Sequence, residues 1–195
     1  AARLVCAGDE WSGSLGDDAL DAAARAASDT WDLDGESFFT TLVDQRVLVD
    51  VLTPPSRLVV VSAGDDARIL ARVASEVGFR VVVVDRRPGL LTPDRFPESV
   101  RLLCCDAARL NEHIVLEESA SAVVMTHHFA DDMAYLGALL RTPAHYLGVL
   151  GPRQRTERII THLATESAVD RSRIYGPVGL DIGTDGAEQV AIALD

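Results

Sequence analysis

The chain has 195 residues, 48% of them hydrophobic, with 30 acids against 18 bases and a formal net charge of −12 at pH 7. A chain this long buries roughly 70% of its unfolded surface, so it needs neither disulfides nor a structural metal to hold a core. The acidic balance argues against nucleic-acid or anionic-membrane binding, which needs clustered cations. All 18 bases are arginine. Without lysine there is no P-loop lysine and no side-chain amine for a Schiff base.

The three cysteines, Cys6, Cys104 and Cys105, are an odd count without metal-type spacing, so neither a disulfide framework nor a zinc site is expected. Of the adjacent pair, one is expected to be strand-buried and one to stand at the strand end. The longest apolar runs are strand-length, far short of a membrane span. No signal peptide is visible, so the expected compartment is the cytoplasm. The chain opens Ala1-Ala2 without methionine, and residues upstream are expected to be missing.

Taken in chain order, residues 3–7 read as a strand. Residues 17–27 are alanine-rich with acids in the first turn and read as a helix. Residues 46–52 alternate as a second strand. Pro54-Pro55-Ser56 marks a boundary, giving a small α+β segment over 1–55 and a second domain over 56–195. In the second domain, Leu58 to Val61 is a continuous apolar run, as expected for a strand covered on both faces. A helix follows over 65–77, with Ala67, Leu70, Ala71, Ala74 and Val77 at helical spacing and Gly78 as its terminator. Residues 80–84 form the next strand, with Asp85 at its end. Further strands are expected at 102–104, 122–125 and 146–149, and helices at 131–140, 153–164 and 187–193. Alternating strands and helices imply an α/β fold with a parallel sheet and right-handed crossovers.

The first strand–turn–helix reads Val61-Ser62-Ala63-Gly64-Asp65-Asp66-Ala67. A Rossmann-type turn has Gly-x-Gly-x-x-Gly or Ala there, so Gly64 and Ala67 fit and Ser62 replaces the first glycine. Asp85 stands where an acid would accept a ribose hydroxyl hydrogen. Asp65 and Asp66 occupy the helix start where a pyrophosphate would rest. One carboxylate about 6 Å from a phosphate charge, at an effective dielectric near 20, costs about 2.8 kcal/mol. A helix dipole offers an anion about 0.3–1 kcal/mol, so an aspartate facing the ligand would win over it. Pointing to water, both would merely stabilise the helix.

Ligands in open parallel sheets bind beyond the carboxyl ends of the strands. Thr126-His127-His128 leaves one strand, with Thr126 expected to cap the following helix and His127 or His128 available to a ligand. Gly151 permits close backbone approach at the next exit, and Arg153, Arg155 and Arg158 either clamp an anion or pair with surface acids. Gly179 and Gly183 bracket Asp181, which either binds a ligand donor or holds an Asx-turn.

Several motifs resemble the XdhC/CoxI family, the accessory factors of molybdenum hydroxylases such as xanthine dehydrogenase. They are Phe79-Arg80-Val81, Val84-Asp85-Arg86-Arg87-Pro88, Arg95-Phe96-Pro97, Val124-Met125-Thr126-His127, Tyr146-Leu147-Gly148-Val149-Leu150-Gly151 and Pro177-Val178-Gly179-Leu180-Asp181-Ile182-Gly183. The resemblance implies a Rossmann-like domain after a small N-terminal domain. It also implies binding of the molybdenum cofactor (molybdopterin), a chaperone role in its sulfuration and insertion, and assembly as a homodimer. The client would be a hydroxylase such as xanthine or carbon monoxide dehydrogenase. The family's Gly-Gly-Cys aligns with Gly16-Asp17-Asp18 and its Cys-Gly-Gly falls near Val43-Asp44-Gln45, so both cysteines are gone and the chain reads as a divergent member.

The expected ligand pocket is lined by Gly64, Asp85, Thr126, His127, Gly151, Gly179 and Asp181, with no metal. Amides at Gly64 and Gly151 would receive anionic oxygens. Asp85 and Asp181 would accept ligand hydrogens, and His127 would orient a polar ligand edge. Such a protein binds and delivers more than it catalyses. The alternatives are an NAD(P)-dependent oxidoreductase and a ligand-free interaction protein that keeps the fold.

Overall fold

A computed structural model describes residues 2–31, 36–165 and 168–179. The chain divides into two units, Ala1–Pro54 and Pro55–Asp195.

In the first unit, strand β1 (Arg3–Ala7) pairs antiparallel with β2 (Glu10–Ser14). Helix α1 (Asp18–Ser28) follows, and β3 (Phe38–Leu42) pairs antiparallel with β4 (Gln45–Val49). The helix starts at residue 18 because Asp17 caps it, accepting the Ala19 and Leu20 N–H groups at 2.8 and 3.0 Å. Asp21 reaches back to the Leu15 N–H at 2.7 Å and fixes the entry turn. Leu20 and Ala24 then face Leu42, with Leu4, Trp31 and Val47 around them. The expected strand over 46–52 stops at Val49, and β2 and β3 were not foreseen. Both residues between β3 and β4 are left-handed, Val43 at φ 47° and Asp44 at φ 61°. That is the conformation of a two-residue type I′ hairpin turn.

The second unit holds a parallel sheet of β5 (Arg57–Val61), β6 (Arg80–Asp85), β7 (Arg101–Cys104), β8 (Ser121–Val124), β9 (Tyr146–Val149) and β10 (Ile174–Tyr175). Its order is β10-β9-β8-β5-β6-β7, with every pair parallel. The helices are α2 (Asp65–Glu76), the single turn α3 (Leu110–His113), α4 (Phe129–Leu139) and α5 (Arg153–Leu163). This is the expected α/β, Rossmann-like architecture. The helix expected at 187–193 lies outside the described residues.

The central strands are apolar on both faces because each face has its own cover. Val59, Val61, Val82, Val84, Ala122 and Val124 point to Leu136, Leu139 and Ile159 of α4 and α5. The alternate residues Leu58, Val60, Val81 and Val83 point to Ala67, Leu70, Ala71 and Ala74 of α2. Gly78, at φ 102°, ends α2 with two hydrogen bonds: its own N–H to the Ser75 carbonyl, and the Phe79 N–H to the Ala74 carbonyl at 2.9 Å. That double bond pattern is a Schellman motif, for which glycine is the residue of least strain.

Candidate functional site

From β5 the chain builds first toward β7 and then returns to lay β8, β9 and β10 on the other side. The direction reverses between β5 and β8, and a doubly wound sheet places its ligand crevice beyond the carboxyl ends there. The loops leaving β5, β6, β8 and β9 line that edge.

The β5 exit keeps a glycine-type backbone without the glycine. Ser62 sits at φ 149°, 2% exposed. Its Oγ accepts the Gly64 N–H at 3.1 Å. The amide expected to receive a ligand oxygen is therefore bonded to the chain itself. Asp85, at the end of β6, is 4% exposed. Its Oδ2 accepts the Ala63 N–H at 2.8 Å and Arg87 Nη2 at 2.8 Å. Its Oδ1 accepts the Arg87 N–H and Nε, each at 2.9 Å. Both oxygens thus hold two donors, the full capacity of a carboxylate. Burial pushes the Asp85 pKa up, but the Arg87 side chain and the Arg87 and Ala63 N–H bonds outweigh it and hold the group below the ordinary carboxylate value.

The two acids at the start of α2 each meet a side chain of another loop. Asp65 is exposed and meets Arg95 at 3.2 Å. Asp66 meets Nε2 of His127, at the β8 exit, at 3.2 Å. This contact joins the two loops that flank the reversal point. His127 is left-handed at φ 60°, which turns the chain sharply between β8 and α4.

Thr126 does not cap α4 as its position suggested; the N-cap position is His128. Asp132, wholly buried, reaches back instead. Its Oδ1 accepts the Thr126 N–H at 3.0 Å and hydroxyl at 2.5 Å. Its Oδ2 accepts Arg155 Nη2 at 2.5 Å and Nε at 3.2 Å. Arg155 is therefore half of an internal ion pair that ties the β8 exit to α5. Arg158 lies 5.1 Å from the centre of the Phe129 ring. Gly151, at φ 117°, gives Arg155 room: a Cβ there would meet Arg155 Cδ at 3.2 Å. Gly179 is left-handed at φ 93°, just after Val178, whose N–H bonds the Val149 carbonyl at 3.1 Å. Asp181 lies outside the described residues.

A cleft of about 170 Å³ opens between the β6 and β8 exits. Asp85, Arg86, Arg87, Thr126, His128 and Asp131 contribute to its wall. Of the expected residues it brings together Asp85 and Thr126; His127, Gly151, Gly64 and Gly179 are not part of its wall. Arg86, Arg87 and Asp131 were not among the expected ligand residues. Arg86 Nε donates to Asp131 Oδ2 at 3.0 Å, and His128 Nδ1 lies 3.4 Å from the same oxygen. Their signals are an Asp-Arg-Arg run at a strand end and a His-x-x-Asp step across a helix start. Tyr135 closes the floor, its hydroxyl donating to the Cys105 carbonyl at 2.6 Å. Of the cysteines, Cys104 ends β7 exposed and Cys105, just beyond the strand, is the buried one, so the buried thiol is not in the strand as expected. Burial pushes the Cys105 thiol up, and neighbouring Asp106 adds to that.

A family model described as the XdhC Rossmann domain matches residues 58–194, well over half of the chain. The chain belongs to the XdhC family. A Bacillus subtilis protein named as a probable xanthine dehydrogenase subunit is 32% identical over 149 residues, covering 76% of this chain and 44% of that protein. An uncharacterised Escherichia coli protein, YqeB, is 26% identical over 151 residues, covering 76% of this chain and 28% of its own length. A crystal structure titled as a xanthine dehydrogenase from Bacillus halodurans superposes with a TM-score of 0.71 at 28% identity, covering 95% of this chain and 50% of that one. The chain therefore spans about half the length of these relatives or less, and the family includes proteins named for xanthine dehydrogenase. Among the described residues of this XdhC chain, no helix is long and apolar enough to cross a membrane. Nor is any group of three or more His, Cys, Asp or Glu among them placed to hold a metal ion.

Proposed function

We propose that this chain is the Rossmann-bearing part of a molybdenum-hydroxylase accessory protein, which binds the molybdenum cofactor or a related pterin and passes it to a client such as xanthine or carbon monoxide dehydrogenase. The observation that carries the reading is the cleft between the β6 and β8 exits, on a chain of this family. Its wall holds two guanidinium groups, Arg86 and Arg87, and two carboxylates, Asp85 and Asp131, beside the exposed His128. A pterin phosphate carries both an anion and a row of N–H donors. A wall of mixed sign fits such a ligand better than a purely basic or acidic one.

The fit is specific about orientation. The start of α2, with Asp65 and Asp66, repels a phosphate, so the anionic end belongs with Arg86 and His128. The cleft of about 170 Å³ is below the size that encloses a whole drug-like ligand, so it would seat one end of the cofactor. Asp131 would accept the pterin's N–H groups as Arg86 turns to the phosphate. Bound there, the cofactor supplies a dithiolene for molybdenum, and this chain's residues hold and orient it.

The nicotinamide reading draws less support, because both oxygens of Asp85 are already filled by Ala63 and Arg87 and a ribose hydroxyl would have to displace one. The test is an anaerobic titration with molybdopterin released from a holoenzyme, followed by equilibrium dialysis. Saturable binding that falls about tenfold in Arg86→Gln and in His128→Ala supports the proposal. Absence of binding, or binding indifferent to both changes, overturns it.

A further inference from the structure

A second cleft lies on the flank of the sheet, apart from the one between the β6 and β8 exits. It measures about 330 Å³, and α2 and the short turn at Pro93–Arg95 form its walls. Arg68 and Arg72 line it from α2, Arg95 faces them from the turn, and Ile69 and Phe96 supply an apolar floor.

Arg68 and Arg72 are four residues apart on one helix face, where like charges repel by about 0.2–0.5 kcal/mol. Neither side chain forms a hydrogen bond or ion pair among the described residues. This happens in a chain where acids outnumber arginines by 30 to 18, so partners are not scarce. Arg95 is held in place by one nitrogen only. Its Nη2 donates to the Ala63 carbonyl at 3.0 Å and to Asp65 at 3.2 Å. Its Nη1 makes no hydrogen bond among the described residues, and its Nε is buried without a partner. A buried guanidinium N–H left unmade is costly, and a ligand oxygen that draws the side chain inward would relieve it. One carboxylate, Asp94, also stands in the wall, and its Thr92 contact keeps it ionised to low pH. Three guanidinium groups against Asp94 in the wall and Asp65 on Arg95 leave one net positive charge, and Arg68 and Arg72 are the two without an ion-pair partner among the described residues.

We propose that this flank cleft is a binding site for a phosphate monoester, with Arg68, Arg72 and Arg95 as the anion clamp and Ile69 and Phe96 beneath the organic part. A phosphate monoester carries about −1.5 to −2 charges at pH 7, which the unpaired Arg68 and Arg72 are placed to meet. Three guanidinium groups lining one cleft suit its three terminal oxygens. The site is independent of the cleft between the β6 and β8 exits.

The whole chain is titrated with phenyl phosphate and with inorganic phosphate, using calorimetry and phosphorus NMR line widths, with sodium chloride as the ionic control. Binding of phenyl phosphate is expected to weaken about tenfold in Arg68→Gln and in Arg72→Gln. The double change should remove the flank component of binding, while Arg141→Gln, at an exposed arginine that lines neither cleft, leaves it as it was. Circular dichroism confirms the fold of each variant; both α2 arginines are exposed, so the fold is expected to survive. No binding of either probe at millimolar concentration overturns the proposal. So does binding that ignores the two α2 arginines.

Discussion

The carboxyl edge of the sheet and its α2 flank use arginine in opposite ways. At the edge, Arg86, Arg87 and Arg155 each meet an aspartate of the same chain, and two of those aspartates are buried. On the flank, Arg68 and Arg72 meet none among the described residues. Arginines engaged by buried carboxylates hold the fold together. Arginines that pair with no acid, in a wall with an apolar floor, are available to something else.

The sharpest way to break this contrast is Asp132→Ala. It leaves Arg155 without its carboxylate and frees the Thr126 N–H and hydroxyl, so a loss of about 3–5 kcal/mol is expected in urea unfolding followed by far-UV circular dichroism. A loss below about 1 kcal/mol would place the edge charges with the flank ones.

Asp85 sharpens the contrast through pH. Its pKa is lowered in the folded chain, so its contribution is fully present above the ordinary carboxylate pKa and disappears as the pH falls through the depressed value. Between about pH 5 and 2 the urea midpoint of the parent should fall more steeply than that of Asp85→Asn. Parallel curves would remove the paired-carboxylate account of that residue.

Val43→Asn tests the other unit. An asparagine tolerates the left-handed conformation that a β-branched residue resists, and a gain of about 1 kcal/mol is expected. Trp11 and Trp31 are the only tryptophans of the chain and both lie in this unit, so their fluorescence during thermal unfolding reports it. At the small end, Arg72→Gln should change stability by no more than about 0.5 kcal/mol in either direction, even as it weakens phosphate binding. A large destabilisation would make Arg72 a structural residue after all.

Much of the second unit was legible because strand and helix leave different periods. Val59-Val60-Val61 and Val81 to Val84 could only be strands covered on both faces, and the Ala67–Leu70–Ala71–Ala74 stripe could only face such a sheet. The hairpins of the first unit were not legible. Glu10 to Ser14 has a single large apolar residue, and the β3–β4 turn carries Val43 where a type I′ turn asks for asparagine or glycine. At the edge, residue positions were easier to read than side-chain partners. Asp85 does end its strand, but its pattern points to a ligand, and Arg155 reads equally as an anion clamp or a partner of surface acids. What decides their partners is contact across the fold: Asp132 lies 23 positions from Arg155, and Ala63 lies 22 from Asp85.

The cofactor proposal meets its most direct test in native mass spectrometry of the chain, purified from a host that makes molybdenum cofactor. The account predicts a species heavier by the mass of a pterin cofactor, absent from Arg86→Gln prepared in the same way. A spectrum with the bare polypeptide alone, or with the added mass of a nicotinamide dinucleotide, would contradict it.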